Sequence, residues 1–365
     1  MKIFTESEEI IYKLRELYEK YGYRRFKMSK FEEYAFYMEY KNFLTTQNII
    51  SFNDLDGSLL ALKPDITLSI AKNAKDNENA RVYYNENVYR VSRSIHEYKE
   101  IPQVGVEYIG EVDAYAECET VLLAVKSMET MGGRYALDLS HMGFVRAILS
   151  HYSLSGLEGE QVLELLGKKD ADGVYNACKN AGVDECGAKN IASLAEINGP
   201  FPYAFEKAKA VAVCAEAENA LAELNTIYSA LAAAGRADFV NLDFSIVNDM
   251  NYYNGLVFQG YLDGVPKSVL SGGRYDNLLA KMGKKCGACG FALYLDLIEL
   301  YRETAENYDA DIVMLYGEGA DISALQKAAD FYRENDFRVL VMKKGADLPK
   351  VKKIIEFDGT KEVLL

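Results

Sequence analysis

Asn251-Tyr-Tyr-Asn-Gly-Leu-Val-Phe258, with Ser271-Gly-Gly-Arg-Tyr-Asp276 a short way beyond it, is the stretch on which the reading of the fold depends. Its apolar runs, 252–262 and 265–271, read as strands, and 267–273 reads as a strand feeding a glycine turn into a helix that begins near Arg274. Taken alone, the glycine pair says no more than that a turn opens a helix. Two upstream segments add to it: Leu60-Ala-Leu-Lys-Pro-Asp-Ile-Thr67, and Asn87-Val-Tyr-Arg-Val-Ser-Arg93 followed by Pro102-Gln-Val-Gly-Val-Glu-Tyr-Ile-Gly110.

Outward from these, the chain is organised by hydrophobic period. Thr5-Glu-Ser-Glu8 has the capping-box form, and Ile10, Ile11, Leu14, Leu17, Tyr18 and Tyr21 recur at helical spacing until Gly22 ends the helix. An Asp-Gly turn between apolar runs within 50–70 predicts a hairpin, and 81–91 with 102–110 predicts a second strand pair. Helix is expected at 114–131, strand at 134–140, a helical insertion at about 143–235, strand at 239–245, and a strand running into a helix at 286–304. Beyond a polar connection, Asp311-Ile-Val-Met-Leu-Tyr, a helix at 322–334 and Phe337-Arg-Val-Leu-Val-Met make a small β-α-β unit. Two domains are therefore expected, 1–304 and 305–365.

The 365 residues are 49% hydrophobic and 26% charged, which suits a folded globular chain with a sizeable core. No run approaches the roughly 20 apolar residues of a membrane span, and Met1-Lys-Ile-Phe-Thr-Glu lacks the layout of a signal peptide. A cytoplasmic protein without a membrane partner is expected. A net charge of −14 argues against nucleic acid as a partner, because the Lys284-Lys285, Lys343-Lys344 and 350–353 runs are embedded in an acidic chain and read as solvated faces. Six irregularly spaced cysteines read as free thiols, and Cys286-Gly-Ala-Cys289 is half of a zinc site with nothing nearby to complete it, so no metal is expected.

In order and separation, the three segments resemble the catalytic core of the histidyl-tRNA synthetases, a class II synthetase fold. That family has Leu-Arg-Pro-Glu-Gly-Thr for the first, the motif 2 hairpin with Phe-Arg-x-Glu-Arg and Gln-x-Gly-x-Glu for the second, and Arg-Gly-Leu-Asp-Tyr-Tyr-x-Gly with Gly-Gly-Arg-Tyr-Asp for the third. The likeness runs from the opening helix to about residue 300. It implies an α+β core with an antiparallel sheet, interrupted by the helical insertion and followed by a small carboxy-terminal α/β module resembling a truncated anticodon-binding domain. It also implies a histidine pocket. Asp65, Thr67 and Gln103 fall where the family holds the α-ammonium, Glu107 and Tyr253 where it reads the imidazole, with Tyr252 beside them. The chemistry is apt, because carboxylate and hydroxyl groups accept from an ammonium, and a carboxylate with a phenol distinguishes imidazole from an apolar isostere. Gln103 and Glu107, four residues apart on a strand, share a face. Arg90 and Arg93 are candidate contacts for an effector's carboxylate or phosphate.

The departures matter as much. Asn248 stands in place of the family's histidine-specific arginine, Leu297 in place of the motif 3 arginine that holds ATP, Ser92 in place of the motif 2 glutamate, and Glu97 near the motif 2 loop arginine. Adenylate formation concentrates negative charge on an α-phosphate, and removing one preorganised group that meets such charge costs a factor of roughly 10² to 10³. No catalytic residues are therefore expected. A synthetase core with its histidine pocket kept and its ATP site dismantled resembles the regulatory subunits of ATP phosphoribosyltransferase, as does the segment Leu137-Asp-Leu-Ser-His-Met-Gly-Phe-Val-Arg146. This second resemblance implies a non-catalytic subunit with no cofactor. It would bind L-histidine as its effector and partner the short-form catalytic subunit of ATP phosphoribosyltransferase at the first step of histidine biosynthesis. It also implies a homodimer within a hetero-oligomer, formed through 22–33, where Ser29 replaces the usual motif 1 proline. A divergent but active histidyl-tRNA synthetase and another synthetase-like accessory protein are the alternatives.

Overall fold

The structure, a computed structural model, describes residues 6–44, 49–76, 78–91, 97–247, 252–302, 308–358 and 362–364. Two compact units are distinguished, one over Ser7–Ile298 and a smaller one that takes in Glu299–Leu365.

The larger unit runs α1 (Glu6–Lys20), β1 (Arg24–Arg25), β2 (Phe31–Glu33), α2 (Tyr34–Glu39), β3 (Ser51–Asn53), β4 (Leu59–Leu62), α3 (Thr67–Asn73), β5 (Ala80–Val91), β6 (Tyr98–Gly110), α4 (Ala114–Met131) and β7 (Tyr135–His141). It continues through α5 (Met142–His151), α6 (Gly156–Gly167), α7 (Ala171–Asn180), α8 (Glu185–Ser193), β8 (Asn198–Pro200), α9 (Phe201–Val211) and α10 (Ala215–Ala233), and closes with β9 (Val240–Asp243), β10 (Leu256–Leu262), β11 (Leu270–Arg274), α11 (Asp276–Lys281), β12 (Gly287–Tyr294) and α12 (Leu295–Arg302). Among the described residues, nine strands form one sheet in the order β1-β5-β6-β12-β11-β10-β7-β9-β8, with β2, β4 and β3 in a separate small sheet.

The fold is the α+β architecture anticipated, and the central strands from β5 to β7 are antiparallel. At the flanks, β1 joins β5 and β9 joins β7 in parallel. The insertion is not purely helical: β8 leaves it to pair with β9 at the sheet edge. The glycines of Ser271-Gly-Gly-Arg-Tyr-Asp276 do not form the expected turn. They lie within β11, paired to β10 on one side and β12 on the other. A Cβ at Gly272 would meet the Gly290 carbonyl, Phe291 and the Phe258 ring, so glycine there serves close approach of strands rather than reversal of the chain.

Local chemistry fixes the long helix beside the sheet. Asp113 accepts from the Ala116 amide at 2.8 Å at the start of α4, and Gly132, at φ 73°, terminates it. The Thr5 capping box lies outside the described residues. The side-chain alternation of β5 and β6 separates two cores. Tyr83, Val104 and Val106 join the large cluster built with α1, α4, α5 and the insertion, in which Phe144 stacks on Phe244 at 4.4 Å. Tyr84 and Ile109 join a second cluster with Tyr37, Leu68, Tyr252, Tyr275 and Leu278. Full burial of each large apolar side chain contributes about 1.5–3 kcal/mol.

The smaller unit contains β13 (Ala310–Tyr316), α13 (Ile322–Glu334), β14 (Val339–Lys343), β15 (Val351–Phe357) and β16 (Glu362–Leu364), with sheet order β14-β13-β15-β16. The β-α-β reading is thus too small. The 350–353 lysines, read as a solvated face, open β15, which pairs in parallel with β13, and Lys352 reaches Asp311 at 2.9 Å. Among the described residues no helix is long and apolar enough to cross a membrane.

Candidate ligand cavity

The β5–β6 ladder sets Val82 opposite Glu107 and Glu86 opposite Gln103, and β12 flanks β6 on the other side with Gly290 against Glu107 and Tyr294 against Gln103. Odd-numbered residues of β6 from 103 to 109 therefore face away from the large core. Of these, Gln103 and Glu107 look into a cavity of about 480 Å³, within the size range of small-molecule sites.

Asp65, Thr67, Arg90, Gln103, Glu107, Tyr252 and Tyr253 all line this cavity. Of the residues singled out in the sequence, Arg93 lies outside the described residues. Asp65 is placed by the turn into α3, its carboxylate accepting from the Leu68 amide at 2.9 Å. Thr67 begins that helix and donates its hydroxyl to Glu107 Oε1 at 2.8 Å. Arg90 donates from Nε to the Pro64 carbonyl at 3.1 Å, which orients its guanidinium beside the Asp65 turn. Gln103 and Glu107 are 4% and 2% exposed, so each needs hydrogen-bonding partners in the site.

Glu107 is the most constrained of these. Its Oε2 accepts from the Tyr275 hydroxyl at 2.5 Å, so each carboxylate oxygen takes one hydroxyl donor. Burial pushes its carboxyl up to about 8, the neighbouring Asp65 adds to that rise, and the Tyr275 and Thr67 donors oppose it. Burial also raises the Asp65 carboxyl, against the pull of the Leu68 amide and the Arg90 charge. The aromatic wall comes from Tyr252, whose ring lies 4.8 Å from Tyr253 and 5.5 Å from Tyr275.

Tyr275 is the residue the sequence reading quoted without giving it a role; Tyr84, Ser271 and Tyr294 also line the cavity. The signal for Tyr275 lay in its motif. Arg274 Nε donates to Asp276 Oδ2 at 2.8 Å and its Nη1 to Glu117 at 3.4 Å. Asp276 Oδ1 accepts from the Ala288 amide at 2.9 Å, and the Asp276 amide donates to Asn254 at 2.8 Å. Arg274 and Asp276 thus pin both sides of Tyr275, and the phenol is aimed inward as a consequence.

Of the positions that depart from the synthetase pattern, Leu297 is partly buried against the large apolar core and Glu97 is exposed, while Ser92 and Asn248 lie outside the described residues. Among the described residues Arg90 is the cavity's one cation, facing the two carboxylates Asp65 and Glu107. Such a site suits a ligand that brings positive charge, an aromatic or heteroaromatic ring, and one anionic group. All six cysteines are free thiols, with Cys286 and Cys289 buried, and among the described residues no group of three His, Cys, Asp or Glu side chains converges as metal ligands.

The sequence model of the histidyl-tRNA synthetase family matches residues 3–298. An ATP phosphoribosyltransferase regulatory subunit from Desulfitobacterium hafniense is 30% identical over 85% of this chain and 81% of its own length, and one from Clostridium kluyveri is 29% identical over 86% and 84%. A crystal structure described as an ATP phosphoribosyltransferase regulatory subunit/histidyl-tRNA synthetase from Bacillus halodurans superposes with a TM-score of 0.78 at 25% identity, covering 96% of this chain and 93% of that one. With its synthetase-like sheet, its carboxylate-lined cavity and these relatives, the chain belongs to the family of ATP phosphoribosyltransferase regulatory subunits, built on a histidyl-tRNA synthetase core.

Proposed function

We propose that this protein is a non-catalytic regulatory subunit that binds L-histidine, activates the short-form ATP phosphoribosyltransferase catalytic subunit, and transmits feedback inhibition by histidine to it. The observation that carries the reading is the buried Glu107 carboxylate, held by Thr67 and Tyr275 in a cavity that also presents Asp65 and Gln103. The α-ammonium of histidine suits Asp65 and Gln103, the imidazole suits Glu107 and Tyr253, and the carboxylate suits Arg90. The name shared by the relatives supports a catalytic partner, and assembly as a homodimer within a hetero-oligomer belongs to the same reading.

The decisive experiment mixes the purified chain with a short-form ATP phosphoribosyltransferase and measures co-elution, turnover and inhibition by histidine. Activation on mixing, with histidine inhibiting the complex and binding this chain by calorimetry, supports the reading; no co-elution and no histidine heat sinks it. The rival synthetase reading is disfavoured by Leu297, whose side chain packs on the apolar core. Histidine-dependent ATP–pyrophosphate exchange tests it directly.

A further inference from the structure

The face of β12 that borders the cavity changes abruptly in height. Strand alternation puts Gly290, Ala292 and Tyr294 on one face, and the ladder sets Gly290 beside Glu107, Ala292 beside Gly105 and Tyr294 beside Gln103. Gly290 and Ala292 line the cavity with almost no side chain, so its floor stays low on going outward from Glu107. Tyr294 then raises a phenol ring from that floor, at the Gln103 end.

Beyond the ring lies a second, more open groove of about 440 Å³, lined by Ile101, Tyr261, Pro266, Lys267, Asp296 and Leu297. Ser268 and Tyr294 line both spaces. A serine contributes little bulk, so the Tyr294 ring is the main part of the partition. The charges around the phenol agree with that position. Burial raises it, Arg90 opposes the rise, and Asp65 from the cavity and Asp296 from the groove both add to it.

With the imidazole at Glu107, the end of the ligand that meets this ring is the one held by Asp65, Gln103 and Arg90. A free carboxylate stops there. A carboxyl joined to a further group through an ester or amide bond would have to pass through the ring to reach the groove, which is the steric form of discrimination against a wrong ligand. We propose that Tyr294 sets the length of ligand that the cavity accepts, admitting the free amino acid and excluding derivatives extended at the carboxyl. The proposal rests on the histidine reading and deepens it. A site closed in this way responds to the free amino acid and ignores its larger esters, amides and peptides.

The test is calorimetry of the full chain and its Tyr294→Ala variant with L-histidine, L-histidinamide and the N-benzyl amide of L-histidine. The benzyl ring suits the apolar Ile101, Pro266 and Leu297 of the outer groove. Both amides lack the carboxylate charge, so a difference between them reports length. The parent should bind the N-benzyl amide at least roughly tenfold more weakly than L-histidinamide, and Tyr294→Ala should bind it roughly ten- to a hundredfold more tightly than the parent does, with no such gain for L-histidinamide. Tyr294→Leu, a smaller opening made with a side chain that still packs, is measured in parallel in case the alanine variant does not fold. Tyr294→Phe keeps the ring and should keep the exclusion. Equal binding of the two amides by the parent, no gain for the N-benzyl amide in the trimmed variants, or the same gain in Tyr294→Phe overturns the proposal, and histidine bound by the parent then leaves the histidine reading in place. A parent that binds no histidine overturns both.

Discussion

Gly290 and Glu107 are direct partners across the β6–β12 ladder, and the Glu107 carboxylate occupies the space that a Cβ at position 290 would take. The glycine is therefore part of the site although it presents no functional group. Gly290→Ala should displace the carboxylate from the Thr67 and Tyr275 hydroxyls, lower stability by about 1–3 kcal/mol through overpacking, and weaken histidine binding at least roughly tenfold. Thermal melts and calorimetry read the two effects separately. An alanine variant that melts and binds as the parent does would mean that the carboxylate is not held where the ladder puts it.

Glu107→Gln keeps the shape and removes the charge. Losing a charge-assisted hydrogen bond in a buried site costs about 1.5–3 kcal/mol, so histidine affinity should fall roughly ten- to a hundredfold. Activation of the catalytic subunit should persist, with inhibition by histidine shifted to higher concentration. Unchanged calorimetric affinity would remove Glu107 from the ligand contacts.

Lys63 is 1% exposed, and its ammonium donates to Glu86 at 3.1 Å. Burial lowers the lysine from its ordinary value while Glu86 opposes that fall. Glu86→Gln leaves a buried cation unpaired and should cost about 3–5 kcal/mol at neutral pH. The unfolded chain binds the lysine proton more tightly than the folded chain, so stability rises with pH between the lowered folded value and the ordinary one near 10.5. The variant's deficit should therefore shrink on going from about pH 7 to about pH 10. Denaturant titrations at the two pH values check this, and a deficit that stays constant or grows contradicts it.

Strand period made the cavity face legible: Gln103 and Glu107 are four residues apart on β6 and both line the cavity. Hydrophobic spacing likewise located α4, from Ala114 to Met131. Tyr275 was not legible, because a tyrosine after two glycines reads equally well as packing. Only the fixing of Arg274 by its neighbour Asp276 and by Glu117, which is distant in sequence, aims its hydroxyl at Glu107. The glycines of β11 read as a turn because close strand approach and chain reversal both favour glycine, and the neighbours Phe258 and Phe291 that decide between them lie on other strands. Val351–Phe357 escaped detection because lysines interrupt its apolar run, while the Asp311 carboxylate that receives Lys352 belongs to β13.

Restoring charge alone should not restore synthetase chemistry. Asn248→Arg together with Leu297→Arg returns two cations to the positions where the synthetases carry them. Ser92 and Glu97 still differ from that pattern, and groups that act together on one transition state are strongly non-additive. Leu297 adds a physical obstacle: its side chain packs on the apolar core, so an arginine there has to leave that surface or desolvate its charge. The double variant should show no histidine-dependent pyrophosphate exchange above background, with histidine binding retained because the Asp65–Gln103–Glu107 side of the cavity is untouched. Exchange at a rate near that of a working synthetase would show that the nucleotide site lies within reach of local repair. The proposal of a purely regulatory subunit would then lose its main physical support.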